Sequence, residues 1–313
     1  MVRQIMNRKR GLLAVVMALA MVFAATTFVV GEADASVSQD GKTATVTTST
    51  EFDAAVTGAT GYESVEKIVL GADVTPTSTA WEKEVSIDGK GYKITLAATI
   101  YINAEVEFKD VKFENKYSTD ATEEDPADKY ASYEIYTNVN GDITFTGCEF
   151  IGDENNEHAV TITYGGSATF DNVKFNGKTI TVDNIGTVEF KNGCSDLDLN
   201  LVDSDGTVTL GTNVIIDAAT AQGAVVNLAY ADLNLGGKEW TFKSINDRKG
   251  ESEISGGTLK DTSFGTYDGV PGDYRDSVVE LNGVTLSGTP ISSHPTARWP
   301  PLQEPSPSQR VRP

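Results

Sequence analysis

One short phrase recurs along this chain and limits what the chain can fold into. It reads EVEFKDVKFENK at residues 105–116, DITFTGCEFIGD at 142–153, SATFDNVKFNGK at 167–178 and SVVELNGVTLSG at 277–288. Within each copy, apolar residues alternate with polar ones, a pattern typical of β-strands with one buried face. An Asn, Asp or Gly separates the two halves of each copy, and these residues tolerate the left-handed backbone of a tight corner. Each copy therefore predicts two short strands joined by a turn, which falls at Asp110, Gly147, Asn172 and Gly283.

The spacing of the copies separates the all-β folds from one another. The first large apolar residue after the alternation recurs in steps of 37, 25, 20, 20, 25 and 46, at Phe108, Phe145, Phe170, Phe190, Leu210, Leu235 and Leu281. We take a step of 20 to 25 as one unit, the step of 37 as a unit with an insertion, and the step of 46 as about two units. A β-sandwich has no need of a recurring phrase, and a propeller blade needs about 40 residues. The spacing predicts an all-β fold, a parallel β-helix solenoid of roughly ten coils.

Stacked coils place particular residues inside. Phe170 and Phe175 are expected to point into the core and to stack on their equivalents in the neighbouring coils. Cys148 and Cys194 lie near the same apolar slot, but the coil of Phe170 separates them. Two strand spacings amount to roughly 9 to 10 Å, whereas a disulfide needs Cα atoms within about 7 Å. The register therefore predicts two free, buried thiols.

A solenoid needs a lid at its first coil, because an open strand edge recruits other chains. The segment TSTEFDAAVTG has Thr48 and Glu51 at capping-box spacing. Phe52, Ala55 and Val56 then fall on one face of a helix. The sequence predicts a short N-terminal capping helix here, the alternative being a surface helix with no capping role.

Both ends of the chain differ from the domain between them. Residues 1–35 contain four basic residues, an apolar run at 11–30 and the small-residue site Ala33–Ala35, the three parts of a secretory signal peptide. The alternative is a permanent anchor, since about 20 apolar residues can span a bilayer. Residues 289–313 hold seven of the ten prolines, which indicates a disordered tail or the artefact of a truncated reading frame. Residues 36–288 are the predicted β-helix domain, and the protein is expected to be exported.

The net charge of the chain limits the classes of partner that the protein is expected to bind. The chain has 25 Lys and Arg against 45 Asp and Glu, a net charge of -20. Nucleic acids and anionic membranes attract basic surfaces, so neither is an expected partner after removal of the signal. With only two cysteines, the chain is neither a disulfide scaffold nor a Cys-based zinc protein.

Residues 85–115, VSIDGKGYKITLAATIYINAEVEFKDVKFEN, carry a family resemblance. Together with the recurring F-x-(N/D)-V-x-F, they resemble the pectate-lyase-like right-handed β-helix repeats of large exported microbial surface proteins, many of them described as adhesin-like. The resemblance covers residues 46–288. It implies a right-handed helix and a secreted or cell-surface protein that binds or spaces without catalysis. The implied partners are host or cell-surface glycans or proteins.

The alternative is a polysaccharide-active enzyme of the same fold, a lyase or a glycoside hydrolase. Lyase chemistry needs a cationic base beside acidic calcium ligands, but the domain contains only Arg248 and Arg275, outside any acidic strand cluster. A glycosidase needs two opposed carboxylates. The best pair is Asp196 and Asp198 in DLDLN. A solvated strand face opposite the leucines explains these two carboxylates better than a catalytic role does. His158 is the only histidine of the domain and lies in a polar loop, so no catalytic residue is predicted.

Two further functions have weaker signals. The insertion YSTDATEEDPADKY at residues 117–130 packs five carboxylates, which suit calcium, although it lacks D-x-D-x-D-G spacing. The carboxylates are Asp120, Glu123, Glu124, Asp125 and Asp128. Calcium is thus the one candidate cofactor, and no metal ligand is assigned. Ice binding needs a regular threonine ladder; Thr161 and Thr163 could stack on Thr179 and Thr181 at a spacing of 18, but DLDLN breaks the ladder in the next coil.

Overall fold

The structure is a computed structural model, and it describes residues 36–116, 133–152, 158–163, 165–183, 186–202, 207–212, 214–266 and 278–288. These residues form a β-rich fold with two short helices, α1 (Ser49–Thr57) and α2 (Ala218–Gly223). The strands are β1 (Ser36–Val37), β2 (Thr43–Val46), β3 (Lys67–Leu70), β4 (Ala80–Trp81), β5 (Val85–Asp88), β6 (Lys93–Leu96), β7 (Ile100–Ile102), β8 (Glu105–Lys109), β9 (Lys112–Asn115), β10 (Ile135–Thr137), β11 (Asp142–Thr146), β12 (Glu149–Phe150), β13 (His158–Ile162), β14 (Ser167–Asp171), β15 (Thr179–Asp183), β16 (Thr187–Lys191), β17 (Asp198–Val202), β18 (Thr207–Thr209), β19 (Val214–Ile216), β20 (Val225–Ala229), β21 (Asp232–Asn234), β22 (Glu239–Trp240), β23 (Ser244–Lys249), β24 (Glu251–Lys260), β25 (Ser263–Thr266) and β26 (Val278–Ser287).

The strands form four sheets. Sheet 1 has the order β1-β2-β3-β5-β8-β11-β14-β16-β19, and sheet 2 has the order β25-β23-β20-β17-β15-β13-β10-β7-β4. Sheet 3 has the order β12-β9-β6; sheet 4 has the order β18-β21-β24-β22, and β26 also pairs with β24. Among the described strands, only β1 and β2 pair antiparallel. Three successive stretches (β5 to β7, β8 to β10 and β11 to β13) visit sheets 1, 3 and 2 in the same order. The all-β prediction is confirmed at this level: the fold is β-rich, with parallel sheets.

The recurring phrase pairs with its own copies in sheet 1. Phe108, Phe145, Phe170 and Phe190 are in-register partners on neighbouring strands, although their steps along the chain are unequal. The long step from Phe108 to Phe145 is therefore one unit, as predicted. The insertion that lengthens this step lies between Lys116 and Tyr133. These two residues are joined directly, because the Tyr133 amide donates to the Lys116 carbonyl at 2.9 Å.

Two of the later anchors of the alignment, Leu210 and Leu235, are wrong. Phe190 pairs with Ile216 and not with Leu210. Farther on, Leu281 pairs with Ile254, and Ile254 pairs with Leu233, so the predicted anchor Leu235 lies one full alternation out of register. A strand can slip by one full alternation without turning its apolar face away from the core, so alternation alone does not fix the pairing. The last step does span two units, because Ile254 lies between Leu233 and Leu281.

Two columns of phenylalanine rings fill the core beneath sheets 1 and 3. Phe145 stacks on Phe170 with ring centroids 4.9 Å apart, and Phe170 on Phe190 at 5.1 Å. In the second column, Phe150 stacks on Phe175 at 5.9 Å. Phe170 and Phe175 are fully buried, which confirms their predicted direction. Each such ring stabilises the fold by roughly 1.5 to 3 kcal/mol through burial.

The predicted corner residues have the backbone conformation that their type suggested. Asp110, Gly147, Asn172 and Gly283 all have positive φ, between 51° and 65°. Three of these corners directly follow a strand of sheet 1: Asp110, Gly147 and Asn172. Each turns the chain towards sheet 3, or towards the single bridge pairs that extend sheet 3 beyond β12. The turn therefore positions the two halves of these three copies on different sheets. The prediction is wrong for the fourth copy, which runs through Gly283 as the single strand β26 and pairs along its length with β24.

The predicted N-terminal helix is present as α1. Thr48 is its N-cap, and the reciprocal bonds between Thr48 and Glu51 complete the capping box. Its buried residues are those predicted, and Phe52 packs edge-on against Trp81 at 5.5 Å. Helix α2 was not predicted, because so short a helix has too few turns to show an amphipathic period. Neither described helix has the length and apolarity that a membrane crossing requires.

Both cysteines are free and buried, as predicted. Phe170 pairs with Phe145 on one side and with Phe190 on the other, so a strand separates the two cysteine-bearing units. Burial raises the pKa of Cys148 to about 12 and also raises the pKa of Cys194.

We expect the native protein to react slowly with a thiol reagent, because its thiolates are scarce and shielded. Denaturation without reductant should release two reactive thiols per chain. A denatured protein that yields no thiol, with a mass two hydrogens lower, would contradict this register.

Candidate functional site

The outer face of sheet 2 carries one column of polar and aromatic side chains. The chain alternates along each strand, so the residues between the buried ones face away from the core. In-register pairing aligns these outward residues from strand to strand as Tyr101, Tyr136, Thr161, Thr181, Asn200, Asn227 and Asn246. The column changes from aromatic to hydroxyl to amide along the sheet.

Two tyrosines form the first part of this column. The rings of Tyr101 and Tyr136 are 5.5 Å apart and tilted by 38°. Tyr101 is 43 % exposed, so one aromatic surface is available to a ligand. Tyr136 is partly buried; burial raises its pKa, and the neighbouring carboxylate of Glu134 adds to this effect. Glu134 is itself fixed, since it accepts a hydrogen bond from the Thr161 hydroxyl at 2.7 Å.

An open groove of about 480 Å³ is lined by Glu82, Asn103, Asn138, Val139 and Asn140. Asn103 and Asn138 come two residues after Tyr101 and Tyr136 in the chain. The first three lining residues directly follow strands β4, β7 and β10, whose in-register pairing brings them to one edge of sheet 2. The Asn138 side-chain amide donates to the Asn103 side-chain oxygen at 2.7 Å, which orients both amides.

The turn that closes the groove requires a glycine. A side chain at Gly141 would place its Cβ 2.3 Å from the Ile102 carbonyl oxygen, so any other residue would push the two units apart. The Gly141 amide also donates to the Asn138 carbonyl at 2.7 Å. The groove therefore has a defined backbone on the side of Asn138.

The far end of the column is an amide ladder rather than an open site. The side-chain amide of Asn227 donates to Asn200, and that of Asn246 donates to Asn227, each at 3.0 Å. Asn227 also donates to Asp198 and is fully buried. A buried amide in a chain of hydrogen bonds rigidifies the sheet, so we assign this part of the column a structural role.

The carboxylate pair of the enzyme alternative does not form as expected. Asp196 and Asp198 were expected on one strand face, but β17 begins at Asp198, and Asp196 precedes it with a φ of 55°. The chain turns at Asp196, so strand alternation does not apply there. The leucines opposite are buried, as the solvated-face interpretation requires.

The threonine ladder was predicted in the wrong register. Thr161 pairs with Thr181, at a spacing of 20 and not 18. Thr179 lies opposite His158, because the register shifts between His158 and Val160. Thr161 and Thr179 are moreover buried, and a buried ladder has no surface to offer to ice.

Several candidate residues fall outside the described part of the chain. These are Arg275 and the five carboxylates of the insertion, together with the side chains of His158 and Arg248. Among the residues that the structure describes, no group of three or more His, Cys, Asp or Glu side chains is arranged to hold a metal ion.

Lysines do lie beside a carboxylate on sheet 3, the feature that would favour a lyase. Glu114 accepts hydrogen bonds from Lys116 at 2.6 Å and Lys93 at 2.7 Å. The bonds from Lys116 and Lys93 lower the pKa of Glu114 from 4.5 to about 2. The bond to Glu114 raises the pKa of Lys93 in return. An amine with a raised pKa holds its proton, so Lys93 is poorly suited to act as a base.

Two other lysines have structural partners. Lys90 contacts the buried Asp88 at 2.9 Å. Burial lowers the pKa of Lys83, but its ammonium group donates to the carbonyls of Tyr62 at 2.8 Å and Ala55 at 3.4 Å, near the end of α1. Lys83 therefore serves to tie the helix to the sheets.

The Glu114 cluster gives a prediction about pH. The folded-state pKa of about 2 lies below the ordinary 4.5, so the ion pairs stabilise the fold fully above pH 5 and lose this effect as the pH falls through about 2. We expect Glu114→Gln to lower the free energy of unfolding by about 1 to 2 kcal/mol at pH 7, and by about half as much or less at pH 3. Urea denaturation at both pH values measures the difference. Glu66→Gln is the control, because Glu66 pairs with Lys42 in an exposed position; a loss for Glu114→Gln that does not change with pH would refute the assignment.

Comparison of the chain with models of known protein families, with curated proteins and with solved structures finds no match. The class of protein is therefore defined by the fold itself: a β-rich domain of parallel sheets with an amide-lined groove at one sheet edge.

This groove was not predicted from the sequence. The candidate residues there were carboxylate pairs and cations, whereas the groove is lined mainly by asparagine. A signal was present: IYIN at residues 100–103 returns as IYTN at residues 135–138. This second recurring phrase places an outward Tyr and an Asn on two neighbouring strands.

Proposed function

We propose that residues 36–288 form a right-handed parallel β-helix of a secreted or cell-surface, adhesin-like protein, whose role is to bind or space and not to catalyse. The solenoid is supported by the parallel order of sheets 1 and 2 and by the repeated visit to sheets 1, 3 and 2. Right-handedness follows the general rule for parallel crossovers. Export is supported by the signal-like pattern of residues 1–35.

The observation that carries the binding role is the outer face of sheet 2. Tyr101 lies on β7, and Glu82 and Asn103 directly follow the paired strands β4 and β7, so neighbouring strands hold these backbones in place. A binding site on a rigid wall loses little conformational entropy when a ligand binds. Against catalysis, Lys93 and Lys116 are both held in ion pairs with Glu114, on a different sheet.

The test begins with the exported protein. Expression of the full chain should yield a product in the medium or on the cell surface, with Ser36 as its first residue by N-terminal sequencing. This product should bind to intact cells or to immobilised polysaccharide. A heat-denatured sample serves as the control for non-specific adsorption.

The same product should release nothing from polysaccharides. Incubation with pectate, xylan and glucan, with and without calcium, should give neither new reducing ends nor the ultraviolet absorbance of unsaturated uronates. Appearance of either product would replace the binding role with the enzyme alternative. Retention of the protein in the cytoplasm with its N-terminus intact would refute the proposed export.

A further inference from the structure

We infer that the groove beside Tyr101 binds an uncharged saccharide chain; this inference rests on the binding role proposed above and names its ligand class. The groove lining offers the amides of Asn103, Asn138 and Asn140 and the carboxylate of Glu82. The exposed ring of Tyr101 stands two residues before Asn103 on the same outward face of the chain, so a ligand that extends beyond the groove can reach it. Each of these groups matches a different part of a sugar.

The aromatic ring suits the apolar face of a pyranose. Tyr101 is 43 % exposed and is held from one side by Tyr136. The C–H groups of a sugar ring form a flat apolar surface that packs on an aromatic face, while the tyrosine hydroxyl remains able to hydrogen-bond. Because Tyr136 limits the motion of Tyr101, little side-chain entropy is lost on binding.

The amides suit the hydroxyl groups. A sugar hydroxyl both donates and accepts hydrogen bonds, and so does a side-chain amide. The bond from Asn138 to Asn103 uses one donor and one acceptor site, which leaves both residues with further amide hydrogens and lone pairs at fixed positions. Four of the five described lining residues carry a polar or charged side chain, which gives a polar ligand several hydrogen-bonding partners.

The negative charge of the groove and of the whole chain disfavours binding of an acidic saccharide. Glu82 is the one charged residue of the described groove lining, and the whole chain has a net charge of -20. A uronate chain would meet a like charge with no described lysine or arginine in the lining to offset it, and such repulsion costs affinity. The volume of about 480 Å³ lies within the range of small-molecule sites, about 300 to 1,000 Å³.

The experiment measures binding of defined saccharides to the full exported chain by isothermal titration calorimetry. The probes are the hexasaccharides of cellulose, xylan and mannan, with hexagalacturonate as the acidic counterpart. We expect at least one neutral probe to bind, and Tyr101→Ala to weaken that binding by about tenfold or more. Asn103→Ala should weaken it as well, because it also releases Asn138.

Tyr92→Ala is the matched control. Tyr92 is 40 % exposed, similar to Tyr101, but it precedes β6 on a different sheet. Its removal should leave saccharide binding unchanged. Circular dichroism of each variant should match that of the parent, so that a loss of binding reports the groove and not the fold.

The possible results distinguish failure of the saccharide inference from failure of the proposed binding function. Failure of every neutral probe to bind, preference for hexagalacturonate, or equal binding by Tyr101→Ala would each overturn the inference. If Tyr101→Ala still adheres to cells like the parent, or if adhesion survives periodate oxidation of the cell glycans, the binding role stands and the saccharide groove fails. If the parent adheres to nothing, the proposed function fails first.

Discussion

Replacing Phe170 with Asp should destabilise the domain by more than about 3 kcal/mol, a large part of the roughly 5 to 15 kcal/mol that stabilises an ordinary domain. Phe170 has no exposed surface, and it stacks between Phe145 and Phe190 at 4.9 and 5.1 Å. The substitution removes both ring contacts and places an unpaired charge in an apolar column. Thermal and urea denaturation, followed by circular dichroism, measure the change.

Two variants show that position and charge are responsible. Phe170→Leu keeps the site apolar and should lower the free energy of unfolding by only about 1 to 2 kcal/mol. Thr169→Asp places the same carboxylate on the neighbouring outward position and should change it by at most about 1 kcal/mol. Equal melting temperatures for Phe170→Asp and the parent would contradict the inward direction of this ring.

Excision of residues 167–186 should give a shorter domain that still folds cooperatively. Ser167 and Thr187 are in-register partners on β14 and β16, so the deletion removes one whole unit and joins Gly166 to the residue equivalent to Ser167. Strand β16 can then pair with β11, and Phe190 can stack on Phe145. In a solenoid each unit contacts only its neighbours, so we expect a loss on the order of a few kcal/mol and not collapse.

Removal of only residues 167–176 is the control. This deletion removes β14 and the turn after it but keeps β15. Sheet 1 then has one strand fewer while sheet 2 keeps all of its strands, so the strands no longer pair in register and the shortened chain should not reach a cooperative native state. Denaturation profiles and far-ultraviolet circular dichroism compare the two deletions. If the excision of the whole unit unfolds the domain as completely as the shorter deletion does, the solenoid is wrong.

Features with a local cause could be predicted from the sequence. The capping box needs only Thr48 and Glu51, and the corners need only a residue type that tolerates positive φ, as at Asp110 and Asn172. The phenylalanine columns followed from strand alternation combined with a nearly regular repeat length. These features depend on neighbours along the chain or on an unbroken repeat.

Features set by register could not be predicted in the same way. Leu235 and Leu233 have the same alternation, and only pairing with Ile254 selects Leu233. The threonines were predicted to stack at a spacing of 18, but Thr161 pairs with Thr181 at a spacing of 20, and across the register shift His158 pairs with Thr179 at 21. The groove depends on which strand ends meet at one edge, and that meeting becomes visible only after the strands are paired.

The hydrogen bond between Tyr133 and Lys116 makes this domain a suitable carrier for foreign peptides. The insertion begins after Lys116 and ends before Tyr133, two residues that are hydrogen-bonded to each other. Phe108 before the insertion and Phe145 after it remain paired. The entropic penalty for closing a loop rises by only about 0.6 kcal/mol for each doubling of its length. An epitope or an enzyme substrate sequence grafted between residues 116 and 133 should therefore be displayed at a fixed place on the domain, with its length set by the designer.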